Sequence, residues 1–236
     1  MKNKKISAGQ NIKVKDGEWS FSKIEKKFDK HINTSVPFYD EGHEIITNIS
    51  TFFLMKKSRC LDIGCSTGTL LNKINSRLKN RNIIYTGLDT QLGMIRESKR
   101  KNKNINFLNK DFFKIKLKSQ DMIISYYTAQ FIPPKKRHIF FKKIFDTLDW
   151  GGAFVLFEKI RAPDARFQDI FSLIYQDFKI DKGHDYVSII AKSKSLKGVL
   201  EPFSDKGNLF LLKKSGFKDI TPIFQWLSFK GYLCIK

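Results

Sequence analysis

Arg59-Cys60-Leu61-Asp62-Ile63-Gly64-Cys65-Ser66-Thr67-Gly68, followed by Thr69-Leu70-Leu71-Asn72-Lys73-Ile74, is the stretch whose reading decides the fold. A short apolar run ending in an acid, a loop with two glycines and a segment of helical spacing make a strand, a tight turn and a helix in succession. In such a unit the loop lies at the carboxyl end of the strand, where nucleotide-type cofactors bind. Glycine at 64 and 68 can take backbone angles closed to other residues and lets a ligand approach bare backbone. The third glycine of the dinucleotide fingerprint is absent at the spacing that motif needs, so the loop has the form acid-x-Gly-x-x-x-Gly.

Downstream of this unit the same order recurs. Ile83-Ile84-Tyr85-Thr86-Gly87-Leu88-Asp89 is a second apolar strand ending in an acid, which suits it to accept from both hydroxyls of a ribose. Gln91 to Lys101 reads as a helix with Met94 and Ile95 turned inward. A short third strand from Ile105 leads to Asp111-Phe112, and a fourth, Asp121 to Tyr127, ends at Tyr126-Tyr127-Thr128-Ala129-Gln130, on the sheet edge where ligands bind. Pro133-Pro134 opens a helix, Asp149-Trp150-Gly151-Gly152 turns the chain, and Ala153 to Glu158 is a fifth strand. Near the end, a helix over Leu209 to Lys214 stops at Ser215-Gly216 before a pair of strands, Ile223 to Ser228 and Tyr232 to Ile235.

The expected architecture is therefore α/β: a Rossmann-like seven-stranded sheet with helices on both faces and an antiparallel C-terminal hairpin. Residues 1–19 are Lys-rich and without periodicity, and read as a flexible basic arm. Residues 20–236 read as one domain, in which 20–56 form an N-terminal helical lid and 161–200 a helical insert. The insert carries Phe167, Ile170, Phe171, Ile174, Tyr175 and Phe178 at helical spacing, a stripe that suits core or a homodimer face.

Composition bounds the function. Hydrophobic residues make up 41% of the 236 and aromatic ones 14%, enough for a packed core. No apolar run is long enough to span a membrane, and no signal peptide is recognisable, so the expected location is cytoplasmic. Cys60, Cys65 and Cys234 have neither disulfide nor zinc spacing, and no metal is expected. The 44 Lys and Arg against 23 Asp and Glu give a formal net charge of +21, which attracts polyanions such as RNA. An AT-rich genome would also produce this excess of Lys, so RNA contact stays one of two explanations.

The glycine loop resembles that of class I S-adenosylmethionine-dependent methyltransferases, as does the closing helix, Gly-Phe and hairpin. More narrowly, Ser35-Val36-Pro37-x-Tyr39, Asp62-Ile63-Gly64-Cys65-Ser66, Gln130-Phe131-Ile132-x-Pro134, Gly151-Gly152-Ala153-x-Val155-Leu156-x-Glu158-Lys159, Asp177-Phe178-Lys179 and Phe224-Gln225 resemble the carboxy-S-adenosylmethionine synthase family. Members of that family move a carboxyl group from prephenate onto the methyl carbon of the cofactor, for wobble-uridine modification of tRNA. The resemblance implies that Tyr39, Gly64, Cys65, Ser66, Asp89, Thr90, Asp111 and Phe112 line the cofactor. Asp62, Gly68, Met94 and Tyr126 complete the expected cofactor wall. Asp111 has a turn cap as its alternative role, and Tyr39 that of an ordinary half-buried tyrosine.

The resemblance also implies an Arg five residues before the Gly-Phe turn, gripping the added carboxylate, and an Asn at the end of the fourth strand; this chain has Leu211 and Tyr126 there. With those residues the pocket is expected to hold plain S-adenosyl-L-methionine, or S-adenosyl-L-homocysteine after transfer, with the sulfonium against aromatic rings. The leading reading is thus methyl transfer to a small-molecule acceptor, with Glu158 as first candidate base and His184, beside Asp185, as second. The first alternative is carboxy-S-adenosyl-L-methionine synthesis with Lys159 or Arg161 replacing the missing Arg; the second is an RNA-binding protein or RNA methyltransferase. Tyr127, Gln130, Lys159 and Arg161 are the expected substrate contacts.

Overall fold

At the centre of the fold lies β3 (Arg59–Ile63), flanked by parallel strands on both sides, whose Cys60, Leu61, Asp62 and Ile63 are all buried because helices cover both faces of the sheet. The computed structural model describes residues 6–7, 13–22 and 24–236. Beside β3 on one side run β4 (Ile84–Asp89) and then β5 (Asn106–Asn109); on the other run β6 (Gln120–Tyr126) and β7 (Leu148–Lys159). The last two strands, β8 (Asp219–Trp226) and β9 (Phe229–Ile235), extend the sheet so that its order is β5-β4-β3-β6-β7-β9-β8. The first five strands are parallel, and β9 lies antiparallel between β7 and β8. Strand order reverses between β4 and β6, around β3, so a crevice opens at the carboxyl ends of these strands. Pro222 is tolerated because β8 is the edge strand and its ladder is irregular between Pro222 and Phe224.

Two apolar layers sandwich the sheet. On one face α2 (Tyr39–Phe53), α3 (Thr69–Arg77) and α4 (Leu92–Lys101) deliver Ile46, Leu70, Leu71, Ile74 and Ile95 onto Cys60, Met122, Ile124 and Val155. On the other, α5 (Pro134–Thr147) and α8 (Asp205–Ser215) deliver Phe140, Phe141, Ile144 and Leu212 onto Leu61, Ile123, Phe154 and Leu156. Alternate strand residues go to opposite faces, as the pleat requires, and each fully buried Leu, Ile or Phe contributes about 2 kcal/mol.

The insert is two helices, α6 (Ala165–Asp181) and α7 (Tyr186–Ser195). Asp164, Asp185 and Ser204 cap α6, α7 and α8, their side-chain oxygens accepting from Arg166 N–H, Ser188 N–H and Gly207 N–H. Asp185 is thus a helix cap and not part of an acid–base pair. No residue of α6 is fully buried: Phe167, Ile170, Leu173 and Ile174 are exposed, whereas Tyr175 packs against the core.

Two expectations for the N-terminal part change. Residues 1–5 and 8–12 of the basic arm lie outside the described residues, but β1 (Ile6–Ser7) pairs antiparallel with β2 (Lys13–Val14). Gly17 N–H and Trp19 N–H then donate to the carbonyls of Lys194 and Ser195, so the end of the arm is docked on α7 by backbone bonds that its side chains do not announce. The segment read as a lid divides in two. α2 is a core helix, since Ile46 is fully buried, although Tyr39 in its first turn lines the crevice; Trp19 and Phe21, then Phe28 and His31 of α1 (Phe28–Asn33), and Ser35 lie over the crevice as well.

Candidate functional site

The glycine loop keeps its shape through packing. Gly64 (φ 78°) and Gly68 (φ 76°) both sit in the left-handed region. A Cβ on Gly64 would lie 2.1 Å from Thr128 Oγ1, and one on Gly68 2.5 Å from Phe107 Cζ. The expectation that these glycines admit a ligand to the backbone is corrected for Gly68: it fits the loop against β5 and lies off the cavity.

Asp89 organises the loop from the tip of β4. Its Oδ2 accepts from Ser66 N–H (3.0 Å) and its Oδ1 from Gln91 N–H (2.8 Å), while burial raises its pKa against the pull of these bonds. Asp62, buried beneath the loop, has no hydrogen-bond partner for Oδ1, and burial, aided by Asp89, pushes its carboxyl up to about 7. Asp29 of α1 fastens the N-terminal segment to the loop: its Oδ1 accepts from Thr67 Oγ1 (2.6 Å) and its Oδ2 from Lys101 Nζ (2.6 Å).

An aromatic wall closes the crevice. Tyr126 donates its hydroxyl to the Tyr39 carbonyl (2.6 Å), with ring centroids 4.9 Å apart, and Tyr127 lies 4.8 Å from Tyr126. Tyr127 (φ 55°) and Ser66 (φ 49°) hold strained left-handed backbones at the cavity, as residues at functional sites often do.

The cavity has a volume of about 790 Å³, room for a nucleoside cofactor and a second small molecule. Its two ends differ in charge. Asp89 and Asp111 line the end formed by β4 and the loop after β5, with Thr90, Met94 and Phe112; a small annex beneath the glycine loop adds Asp62 and Asp29. Lys159, Arg161, Lys179 and Lys192 line the other end, with His31, Ser35 and Tyr175. There Lys192 Nζ donates to His31 Nε2 (2.7 Å) and Ser35 Oγ (2.9 Å), and Tyr175 donates its hydroxyl to the Ser35 carbonyl (2.6 Å). Burial first, then the neighbouring cations, lowers Lys159 and Lys192 to about 7, and burial lowers Lys179 to about 8.

Of the residues singled out in the sequence, Tyr39, Gly64, Ser66, Asp89, Thr90, Met94, Asp111, Phe112, Tyr126, Tyr127, Gln130, Lys159 and Arg161 come together around this cavity, and Asp62 and Cys65 line the annex. Gln130 is there largely as a brace, its Oε1 accepting from Lys159 N–H (2.7 Å).

Both candidate bases lie elsewhere. Glu158 points to the opposite face of the sheet, where burial pushes its carboxyl up to about 7 against the counter-pull of Arg137. The pleat explains this, because Glu158 shares the parity of Leu156 and Phe154. His184 is buried behind the cavity with Nε2 3.1 Å from Thr34 Oγ1, and burial lowers its pKa. Leu211 packs in the apolar layer under α8 and does not line the cavity. His31, Ser35, Lys179 and Lys192 have no assigned role at the site in the sequence, although Ser35 and Lys179 stand in the family-like strings, and Tyr175 reads there as part of a core or dimer stripe.

A switch-point cavity with a glycine loop, acids at two successive strand tips and an antiparallel closing hairpin defines the class: an S-adenosylmethionine-dependent enzyme of the methyltransferase fold. Residues 60–152 match the methyltransferase domain family. Solved structures agree on the fold: the plantazolicin methyltransferase BpumL, in complex with a pentazolic desmethylPZN analog and SAH, aligns with a TM-score of 0.66 at 13% identity over 91% of each chain. Human N-acetylserotonin methyltransferase in complex with SAM gives 0.57 at 16% identity, covering 82% of this chain and 51% of that one.

Among curated proteins, the carboxy-S-adenosyl-L-methionine synthase of Staphylococcus epidermidis is 36% identical over 223 residues, 93% of this chain and 97% of that protein. That of Nautilia profundicola is 34% identical over 213 residues, 89% and 90% of the two chains. The chain belongs to the carboxy-S-adenosyl-L-methionine synthase family.

Proposed function

We propose that the protein makes carboxy-S-adenosyl-L-methionine, with prephenate, the donor implied by the family resemblance, as second substrate. The observation that carries this reading is the cationic end of the cavity, which suits a carboxylate-bearing molecule and repels a cationic acceptor. The expectation of methyl transfer to a small-molecule acceptor rests on Leu211 and Tyr126; Leu211 lies outside the cavity, and Tyr126 lines its aromatic wall without bearing on the cationic end.

The residues at the acidic end fit the cofactor. The unpartnered, buried Oδ1 of Asp62 can accept from a cationic donor, and the backbone-anchored Asp89 can accept from ribose hydroxyls. Phe112 offers an apolar face for the base, and Tyr39 and Tyr126 offer rings on which a sulfonium can rest. When bound, the cofactor supplies a methyl carbon activated by the adjacent sulfonium. Gln130 fixes the backbone of Lys159 beside the wall that Tyr126 and Tyr127 form, and so orients the second substrate towards that methyl.

Mass spectrometry of the small molecules released from the purified protein, before and after incubation with S-adenosylmethionine and prephenate, tests the reading. A cofactor carrying one added carboxyl group is the expected product. Unmodified S-adenosylmethionine after prolonged incubation overturns it and returns the search to methyl acceptors.

A further inference from the structure

Three ammonium groups reach the cationic end of the cavity from three different elements. Lys159 comes from the end of β7, Lys179 from α6 and Lys192 from α7. Each is held over an aromatic face: Lys159 Nζ and Lys179 Nζ lie 4.4 and 4.3 Å from the centroid of Tyr175, and Lys192 Nζ 5.0 Å from that of Trp19. Among the described residues none of the three forms an ion pair, although Lys elsewhere on the chain pairs repeatedly with Asp and Glu. Lys192 spends its bonds on the neutral partners His31 and Ser35. Like charges gathered in a half-buried space without a counter-charge are unfavourable, and a fold retains them where a ligand supplies the missing charge.

Resting on the reading above, we propose that Lys159, Lys179 and Lys192 form one polyanion clamp that selects a second substrate with two carboxylates over one with a single carboxylate. Tyr175 is its spacer: the hydroxyl anchored on Ser35 fixes the ring on which Lys159 and Lys179 both rest. Arg161, also on the cavity wall, adds to the field that draws the anion in.

Calorimetric titration of the protein saturated with S-adenosylhomocysteine, using prephenate (two carboxylates) and phenylpyruvate (one), tests the clamp on wild type and on Lys179→Gln, Lys179→Arg and Lys192→Gln. Prephenate is expected to bind at least about tenfold more tightly than phenylpyruvate, and each Gln variant to lose most of that preference. Lys179→Arg should keep it, and the exposed-site control Lys213→Gln should change nothing. Thermal melting adds a readout that a structural role would move the other way: removing one unpaired like charge should raise the melting temperature of Lys179→Gln, not lower it. Equal binding of the two anions, or Gln variants with unchanged prephenate affinity, overturns the clamp even where carboxylated cofactor is made. Lysine-dependent selection of prephenate with no carboxylated product upholds the clamp and removes the proposed reaction instead.

Discussion

The two ends of the cavity are built in opposite ways. At the acidic end the critical groups sit on consecutive strand tips, and their bonds go to backbone a few residues away in space: Asp89 takes Ser66 N–H and Gln91 N–H, and Gly64 packs on Thr128. At the cationic end Lys159, Lys179 and Lys192 come from a strand end and two insert helices; Ser35 and Trp19, from elsewhere in the chain, hold Lys192, and Tyr175 of α6 carries Lys159 and Lys179 on its ring. The first end satisfies Asp89 from its own backbone and leaves Asp62 Oδ1 for the cofactor; the second carries three ammonium groups with no acidic partner among the described residues. A cofactor shared across a fold and a substrate particular to one enzyme call for this division.

The largest effect is expected where rigidity is broken. Gly64→Ala places a methyl 2.1 Å from Thr128 Oγ1 on a left-handed backbone, and should cost about 3 kcal/mol, lowering the melting temperature by roughly 10 °C in calorimetry. Asp89→Ala leaves Ser66 N–H without its acceptor and removes the ribose acceptor, so S-adenosylhomocysteine should bind roughly thirtyfold more weakly, about 2 kcal/mol, in a titration. Donor selectivity, measured as the prephenate to phenylpyruvate ratio, should survive this change, because it belongs to the other end.

Acidity separates the ends next. The lysines hold an anion only as ammonium ions, and in the free cavity they lose that form as pH rises through about 7 to about 8. The KM for an anionic second substrate should therefore be flat below this window and climb above it, by up to about tenfold per pH unit for one controlling group. The neighbours do not reverse the sign. Burial keeps His31 neutral, at about 3, His184 is lowered as well, the Tyr175 hydroxyl is raised, and Arg161 adds a like charge. A KM that falls with rising pH would break the assignment. The smallest effect is expected from Leu211→Arg, which lies in the apolar layer under α8: product identity should not change, and a switch in product would return that position to the site.

What the sequence revealed follows the same division. The strand, loop and helix around Asp62 to Gly68, the acid at Asp89 and the closing hairpin are local patterns with a fixed period, and they give the sheet and the cofactor wall directly. Glu158 was misplaced by a local rule as well: strand-tip position suggested the cavity, but pleat parity sends its side chain to the other face. The docking of Trp19 on Ser195 through backbone groups leaves no mark on side-chain pattern, and Lys179 and Lys192 look like any lysine on an amphipathic helix. Only tertiary placement distinguishes them from the many exposed lysines of a chain with charge +21.

The bond from the Tyr175 hydroxyl to the Ser35 carbonyl joins residues 140 positions apart. Closing so long a loop in an open chain costs about 4 kcal/mol of entropy, far more than one hydrogen bond returns, whereas the same contact is cheap once the sheet has already brought both ends together. The expected order of folding is therefore sheet and cofactor wall first, anion-binding wall last. On opening, the sequence runs backwards, and the amides of α6 should exchange with solvent while those of β3 and β6 are still protected.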